Sequence, residues 1–288
     1  MRYADLHSHS QFSPDSNNTI ESLIKDALSK NLSVLGITDH LDLDPPTRDG
    51  ALLKFVFNPQ EQQGEIEKVC REMESAGVRT TSTADGSERL LVLKGVEIGM
   101  QPISSQKIKD FCNNNIFDHI IASIHFIDGE DPYYRNYYIG KDAYSAYSRV
   151  LELIWKTSLE NPDFDIIGHF DYVVRYAPYT APERDITFSR YQDYFIPILK
   201  LLAERGKALE INSKTYQNFD GFTPTLDIEI LKEFRRLGGE NITLGSDCHE
   251  PGKLGFDFDR FAAIIKSCGF NYLTYYKERE PIHYKIEL

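Results

Sequence analysis

The sequence contains no Cys-x-x-Cys pair, and its four cysteines, Cys70, Cys112, Cys248 and Cys268, stand far apart. That excludes a disulfide framework and a thiolate zinc knuckle, and predicts reduced thiols. No segment reaches the roughly eighteen consecutive apolar residues a membrane helix needs. The stretch Met1-Arg2-Tyr3-Ala4-Asp5 lacks a signal peptide's apolar core, so a cytoplasmic location is expected. Positive charge is scarce: 32 Lys and Arg face 44 Asp and Glu, a formal net charge of −12. Attachment to duplex nucleic acid or anionic lipid requires a basic footprint, so neither is expected. A linker is missing as well. The 18 Gly and 13 Pro are dispersed, and nothing divides the 288 residues into halves, so 1–288 is expected to be one domain.

What is present is an alternation of short aliphatic runs with amphipathic stretches. Strands are predicted over residues 3–7, 34–38, 90–97, 119–123, 165–168, 208–211 and 242–245. Helical spacing predicts helices over 20–28 behind a Thr19 cap, and over 62–76, 142–159, 187–205 and 226–237. Glycine follows three of these, at Gly77, Gly206 and Gly238, as expected for helix C-termini. The pattern is seven β/α units, an α/β chain suited to a parallel barrel. Residues 272–276 fit either an eighth strand or a terminal hairpin.

Nearly every predicted strand ends in a group able to hold a metal. These ends are Asp5-Leu6-His7-Ser8-His9, Thr38-Asp39-His40, Gly95-Val96-Glu97, Ser123-Ile124-His125, Gly168-His169 and Gly245-Ser246-Asp247-Cys248-His249; the sixth strand offers Glu210-Ile211-Asn212. In a parallel barrel such ends converge on the C-terminal rim, where active sites are built. His7 and His9 alternate along an extended chain and so face the same side, as do Asp247 and His249. Imidazole and carboxylate without thiolate favour hydrolytic ions such as zinc, manganese or iron. Six of the eight histidines occupy these ends. The other two, His119 before its strand and His283 in the polar tail, are read as structural and surface residues.

The ordered series His-x-His, Thr-Asp-His, Gly-Val-Glu, Ser-x-His, Gly-His and Ser-Asp-x-His, running from Asp5 to His249, resembles the polymerase and histidinol phosphatase (PHP) superfamily. The resemblance implies a distorted seven-stranded (β/α)7 TIM-like barrel carrying two or three divalent transition-metal ions at its C-terminal rim. It would place one ion on His7, His9, Glu97 and Asp247, a second on Glu97, His125 and His169 with Glu97 bridging, and a third on Asp15, His40 and His249. Asp15 stands where many relatives have histidine. Gly168-His169-Phe170-Asp171-Tyr172-Val173-Val174-Arg175-Tyr176 and Glu210-Ile211-Asn212-Ser213-Lys214 resemble the stand-alone histidinol-phosphate phosphatase branch. That likeness implies a metal-dependent phosphoric monoester hydrolase of histidine biosynthesis, with a small phosphate monoester as partner.

Phosphate monoesters hydrolyse very slowly unaided, so the site must activate water and neutralise phosphoryl oxygens. Arg175, whose planar fork can hold two oxygens, is the leading candidate for the second task, followed by Lys214 and then Arg135. The proton for the leaving oxygen could come from solvent at the metals, from His249 or from Asp39, and Asp39 could instead orient a ligand histidine. Asp42 and Asp44 are candidates for a cationic substrate group, with the Tyr133-to-Tyr138 loop stacking on its ring. Competing readings are a related phosphoesterase acting on a nucleotide, an oligonucleotide end or phosphotyrosine, and a metal-binding regulatory module without activity. A metal-dependent amidohydrolase would need a strand-end lysine or a different His/Asp order. Three divalent ions would bring the net charge to −12 + 6 = −6.

Overall fold

The computed structural model describes residues 2–48, 51–52, 55–78, 80–81, 90–161 and 163–288. Seven strands form its centre: β1 (Ala4–Asp5), β2 (Val34–Ile37), β3 (Leu90–Gly99), β4 (His119–Ser123), β5 (Ile166–Ile167), β6 (Ala208–Asn212) and β7 (Ile242–Gly245). All are paired in parallel and in chain order, each with the next. The ring is drawn together between first and last strands by Leu6 N–H donating to the Leu244 carbonyl at 3.1 Å and Asp247 N–H to the His7 carbonyl at 2.7 Å. The result is the seven-stranded, TIM-like barrel the sequence pattern anticipates.

Helices cover the strands: α1 (Ile20–Ser29), α2 (Pro59–Ser75), α3 (Ser105–Asn114), α4 (Ala143–Glu160), α5 (Phe188–Glu204), α6 (Ile228–Arg236) and α7 (Phe258–Ser267). In α1 the Thr19 hydroxyl accepts from Ser22 N–H, and Ile20, Leu23, Ile24 and Ala27 are buried at helical spacing. Helices α3 and α7 are absent from the sequence reading. In α3 only Ile108 and Cys112 are buried, too short an apolar stripe to stand out. Residues 272–276 belong to a terminal hairpin, β8 (Tyr272–Lys277) with β9 (Glu280–Lys285). Its tip meets the N-terminal rim, where Arg279 pairs with Asp165 at 2.5 Å and Asp163 at 2.8 Å.

His119 is buried inside the barrel and bonds the Leu6 carbonyl at 2.9 Å. A Cβ on Gly36 or Gly95 would stand 2.7 Å from its ring, so both positions must be glycine for the ring to fit. His283 pairs with Asn241 away from the rim. All four cysteines are free and buried. Among the described residues, no helix is long and apolar enough to cross a membrane.

Candidate metal centre

The long strand β3 organises the site. Its upper part pairs with the short segment His40–Leu41, which puts His40 opposite Glu97, and with β4, which puts Ile121 opposite Glu97. Glu97 is fully buried, and its two oxygens face different histidines. Oε1 lies 2.8 Å from His169 Nε2 and 3.0 Å from His125 Nε2. Oε2 lies 2.9 Å from His40 Nδ1, 3.2 Å from His7 Nε2 and 3.5 Å from His9 Nε2. A parallel bridge between Ser8 and Cys248 aligns the chain after β1 with that after β7. Asp247 Oδ1 is consequently 3.5 Å from His9 Nε2 and 3.3 Å from His249 Nδ1. Asp15 completes the cluster, with Oδ2 3.3 Å from His249 Nε2 and 3.6 Å from His40 Nε2.

All nine residues anticipated as ligands therefore meet at one rim. Among the described residues five groups are close enough to share an ion: His7, His9 and Glu97; Glu97, His125 and His169; His9, His40 and His249; His7, His169 and Asp247; and His40, Asp42 and His125. The second is the anticipated second set, the others mix or shorten the anticipated sets, and Asp15 is in none. The orphaned atoms show that these residues suit metal ions. His7 Nε2, His9 Nε2, His40 Nδ1 and Glu97 Oε2 are buried without a hydrogen bond of proper geometry, and all four converge. Glu97 Oε2 lies 2.9–3.5 Å from these three imidazole nitrogens without an aligned hydrogen bond, an arrangement of lone pairs that suits a cation between them.

The electrostatics of the metal-free chain agree. Burial opposes charge on His7, His40 and His125, yet neighbouring carboxylates outweigh it: Glu210 and Glu97 raise His7, Glu97 and Asp15 push His40 up to about 10, and Asp42 and Glu97 raise His125. Protons thus stand in for cations. Glu97 and Asp247 are held well below the usual carboxylate range despite burial, Glu97 by His7, His125 and His40, and Asp247 by Lys214 and Arg175. His9 moves down, because burial is reinforced by His249 and His40.

Around the ligands lies a shell of acceptors that fix ring orientation. Glu210 Oε1 is 2.7 Å from His7 Nδ1, and Asp42 is 2.9 Å from His125 Nδ1, which turns each Nε2 toward Glu97. Ser13 Oγ sits 3.1 Å from His9 Nδ1. Glu210, at the sixth strand end, is not among the residues given a role from sequence; the signal for it is a carboxylate inside an apolar strand.

The remaining candidates divide. Asp39 is fully buried and accepts from Ser10, Ser13 and Gln62, all at 2.7 Å. It lies outside the cavity lining, which corrects its assignment as proton donor. The alternative expectation, that it orients a ligand histidine, has a contact to rest on, since Ser13 Oγ donates to Asp39 and lies 3.1 Å from His9 Nδ1. Arg135 is exposed, pairs with Asp220 and does not line the cavity, which corrects its assignment to substrate binding. Asp44 pairs with Lys107, and Asp42 is committed to His125, so neither is free for a substrate cation. The tyrosine loop splits: Tyr133 and Tyr134 line the cavity, whereas Tyr137 and Tyr138 are core residues bonded to backbone carbonyls.

Arg175 and Lys214 do reach the cavity. Arg175 is 1% exposed and donates to Asp247 at 2.8 Å, Asn212 at 3.0 Å and Thr215 at 3.0 Å, three of its five N–H groups. Lys214 Nζ lies 3.0 Å from His249 Nδ1 and 3.3 Å from Asp247 Oδ1. The cavity has a volume of about 540 Å3, with the metal-ligand cluster as its floor.

The geometry has counterparts among known proteins. A probable histidinol-phosphatase of Clostridium acetobutylicum is 31% identical over 92% of this chain and 93% of its own length. The histidinol-phosphatase of Lactococcus lactis is 29% identical over 95% of this chain and 94% of its own. The crystal structure of histidinol phosphate phosphatase from Lactococcus lactis, complexed with zinc, L-histidinol and phosphate, superposes with a TM-score of 0.83 at 27% identity, covering 98% of this chain and 99% of that one. Residues 5–214 match the PHP domain model, a span that takes in every ligand candidate except Asp247 and His249. The chain belongs to the PHP domain family.

Proposed function

We propose that the chain is a histidinol-phosphatase, a metal-dependent phosphoric monoester hydrolase that converts L-histidinol phosphate to L-histidinol and inorganic phosphate. The observation that carries this reading is the end-to-end likeness to the Lactococcus lactis enzyme, whose crystal structure holds zinc, L-histidinol and phosphate, joined to a rim cluster suited to the same ion. A cytoplasmic biosynthetic role follows from that activity.

Three divalent positions fit the ligand set: His7, His9, Glu97 and Asp247; Glu97, His125 and His169; Asp15, His40 and His249. Zinc is the reading the Lactococcus relative supports, and all-N/O ligation suits it. Divalent ions bound there supply Lewis acidity, activating water and neutralising phosphoryl oxygens. The protein supplies the orientation. Glu97, touching five histidines, sets the spacing of the cluster, and the carboxylates of Glu210 and Asp42 lock two of the rings. Arg175 and Lys214 form the cationic wall, with two Arg175 N–H groups left for phosphate oxygens. His249 serves as a ligand rather than as the acid, because Nε2 faces Asp15 and His40 while Nδ1 meets the Asp247 carbonyl at 2.9 Å.

The test is a direct comparison of metal-loaded protein on histidinol phosphate, nucleotides, phosphotyrosine peptides and single-stranded oligonucleotides. The expected result is highest kcat/KM on histidinol phosphate; preference for any of the others overturns the reading.

A further inference from the structure

The cavity holds a carboxylate that hydrolysis of a phosphate does not explain. Asp131 lines the cavity wall at the start of the turn Pro132–Tyr134 and is not an anticipated metal ligand. Its Oδ1 accepts from Tyr133 N–H at 2.9 Å and from the Tyr172 hydroxyl at 3.1 Å. No ion pair or hydrogen bond engages Oδ2 among the described residues. A partly buried anion in a cavity that must admit a phosphate dianion repels that ligand. Its cap to the Tyr133 N–H holds it in place, and a ligand that also brings a positive charge offsets that repulsion.

The surroundings of Asp131 fit such a charge. Tyr133 packs edge-on against Tyr176 with ring centroids 5.2 Å apart, and Tyr176 against Tyr172 at 5.5 Å, giving a continuous aromatic wall. Tyr172 in turn lies 5.3 Å from His169 and 6.0 Å from His125, so this wall begins at the metal cluster and ends at Asp131. Aromatic faces beside a carboxylate are a receptor for organic cations. Arg175 and Lys214 stand on the side of Asp247 and His249. The Arg175 guanidinium also lies 5.2 Å from the Tyr172 ring centroid, so the cationic wall and the aromatic wall meet at Tyr172, with Asp131 at the hydroxyl end of that ring.

We infer that Asp131, backed by the Tyr133–Tyr176–Tyr172 wall, is a specificity-determining residue that receives the cationic end of the leaving alcohol and restricts the enzyme to phosphate monoesters of amine-bearing alcohols. This rests on the proposed phosphatase activity and deepens it. Asp131 takes over the role that the sequence reading gives to Asp42 and Asp44.

The test compares ratios, which cancel any loss of folded protein. Purified metal-loaded wild type and Asp131→Asn are assayed on histidinol phosphate, on phosphoethanolamine and on a neutral monoester, glycerol phosphate. Asn keeps an oxygen for the Tyr133 N–H, so the turn is retained. The expected result is a wild-type preference for the two cationic esters, reduced at least tenfold in Asp131→Asn and carried mainly by KM. The dissociation constant of L-histidinol should rise at least fivefold. An unchanged ratio, or a wild type that hydrolyses the neutral ester as well as the cationic ones, overturns the inference. If histidinol phosphate itself is a poor substrate while the preference for phosphoethanolamine over glycerol phosphate persists and falls in Asp131→Asn, the histidinol-phosphatase reading fails and the role of Asp131 stands.

Discussion

Glu210 and His7 meet 2.7 Å apart in a space kept open by glycine. Glu210 Oε1 faces His7 Nδ1, while Oε2 accepts the His169 N–H at 2.7 Å. One carboxylate therefore steadies histidines from both halves of the cluster. A Cβ on Gly245 would stand 2.1 Å from Glu210 Oε1 and 2.6 Å from His7 Cβ. Strand β7 thus carries glycine there because β6 carries a long acid pointing inward.

Replacing Glu210 by Gln keeps the volume and removes the charge. Metal affinity is expected to fall about 10–100-fold, the usual effect of losing a carboxylate behind a ligand histidine. Competition against a chromophoric chelator measures it. Gly245→Ala should produce at least as large a loss, since the new methyl displaces Glu210 and His7 together; unchanged affinity in both variants would refute the orienting role.

How far the sequence disclosed this site follows from which features are local. His7 and His9, or Asp247 and His249, declare themselves by spacing at strand ends, and all seven barrel strands follow from apolar runs bounded by polar loops. The partners of those ligands do not. In sequence Asp39 is as good a candidate as His40 beside it, and only the fold shows four donors from three residues closing over its oxygens. Arg135 looked like a phosphate contact, yet it sits at positive φ on a turn and pairs with Asp220, 85 residues away. Asp131 gave no signal, because a turn-starting Asp is common. Its importance comes from Tyr172, brought beside it by tertiary structure.

Asp39 offers a separate prediction about stability. Asp39→Ala leaves donors from Ser10, Ser13 and Gln62 unpaired in a buried place, at a cost of about 1–3 kcal/mol for each that solvent cannot reach. The midpoint of denaturant unfolding should drop markedly in Asp39→Ala and less in Asp39→Asn, which retains one acceptor. Equal midpoints for Asp39→Ala and wild type would show that water replaces the carboxylate.

The two residues of the cationic wall should respond differently. Arg175 forms a buried ion pair with Asp247, so Arg175→Ala is expected to cost about 3–5 kcal/mol of stability as well as activity, because it strands a buried carboxylate. Lys214 is partly exposed, and Lys214→Ala should lower kcat/KM at least tenfold while shifting Tm little. Arg135→Ala should change kcat/KM less than twofold, since Arg135 lies outside the cavity. Steady-state kinetics and thermal melts on the three variants decide the matter.

Metal removal should reverse the pH dependence of stability. In the metal-free chain His40 is raised from 6.5 to about 10, because Glu97 and Asp15 outweigh burial, and His7 and His125 are raised as well. A histidine whose folded pKa exceeds its unfolded one contributes stability that is complete below about pH 6.5 and is lost as pH climbs toward the folded value. Chelated protein should therefore melt at lower temperature at pH 9 than at pH 7. Metal ligation requires the neutral imidazoles, so loading must expel those protons and grow tighter as pH rises. Zinc added to chelated protein in weak buffer at pH 7 should release more than one proton per chain, and metal-loaded protein should lose no stability between pH 7 and 9. If zinc releases no protons and both forms melt with the same pH profile, the three histidines are already neutral in the metal-free chain, and the carboxylates around Glu97 do not hold them charged.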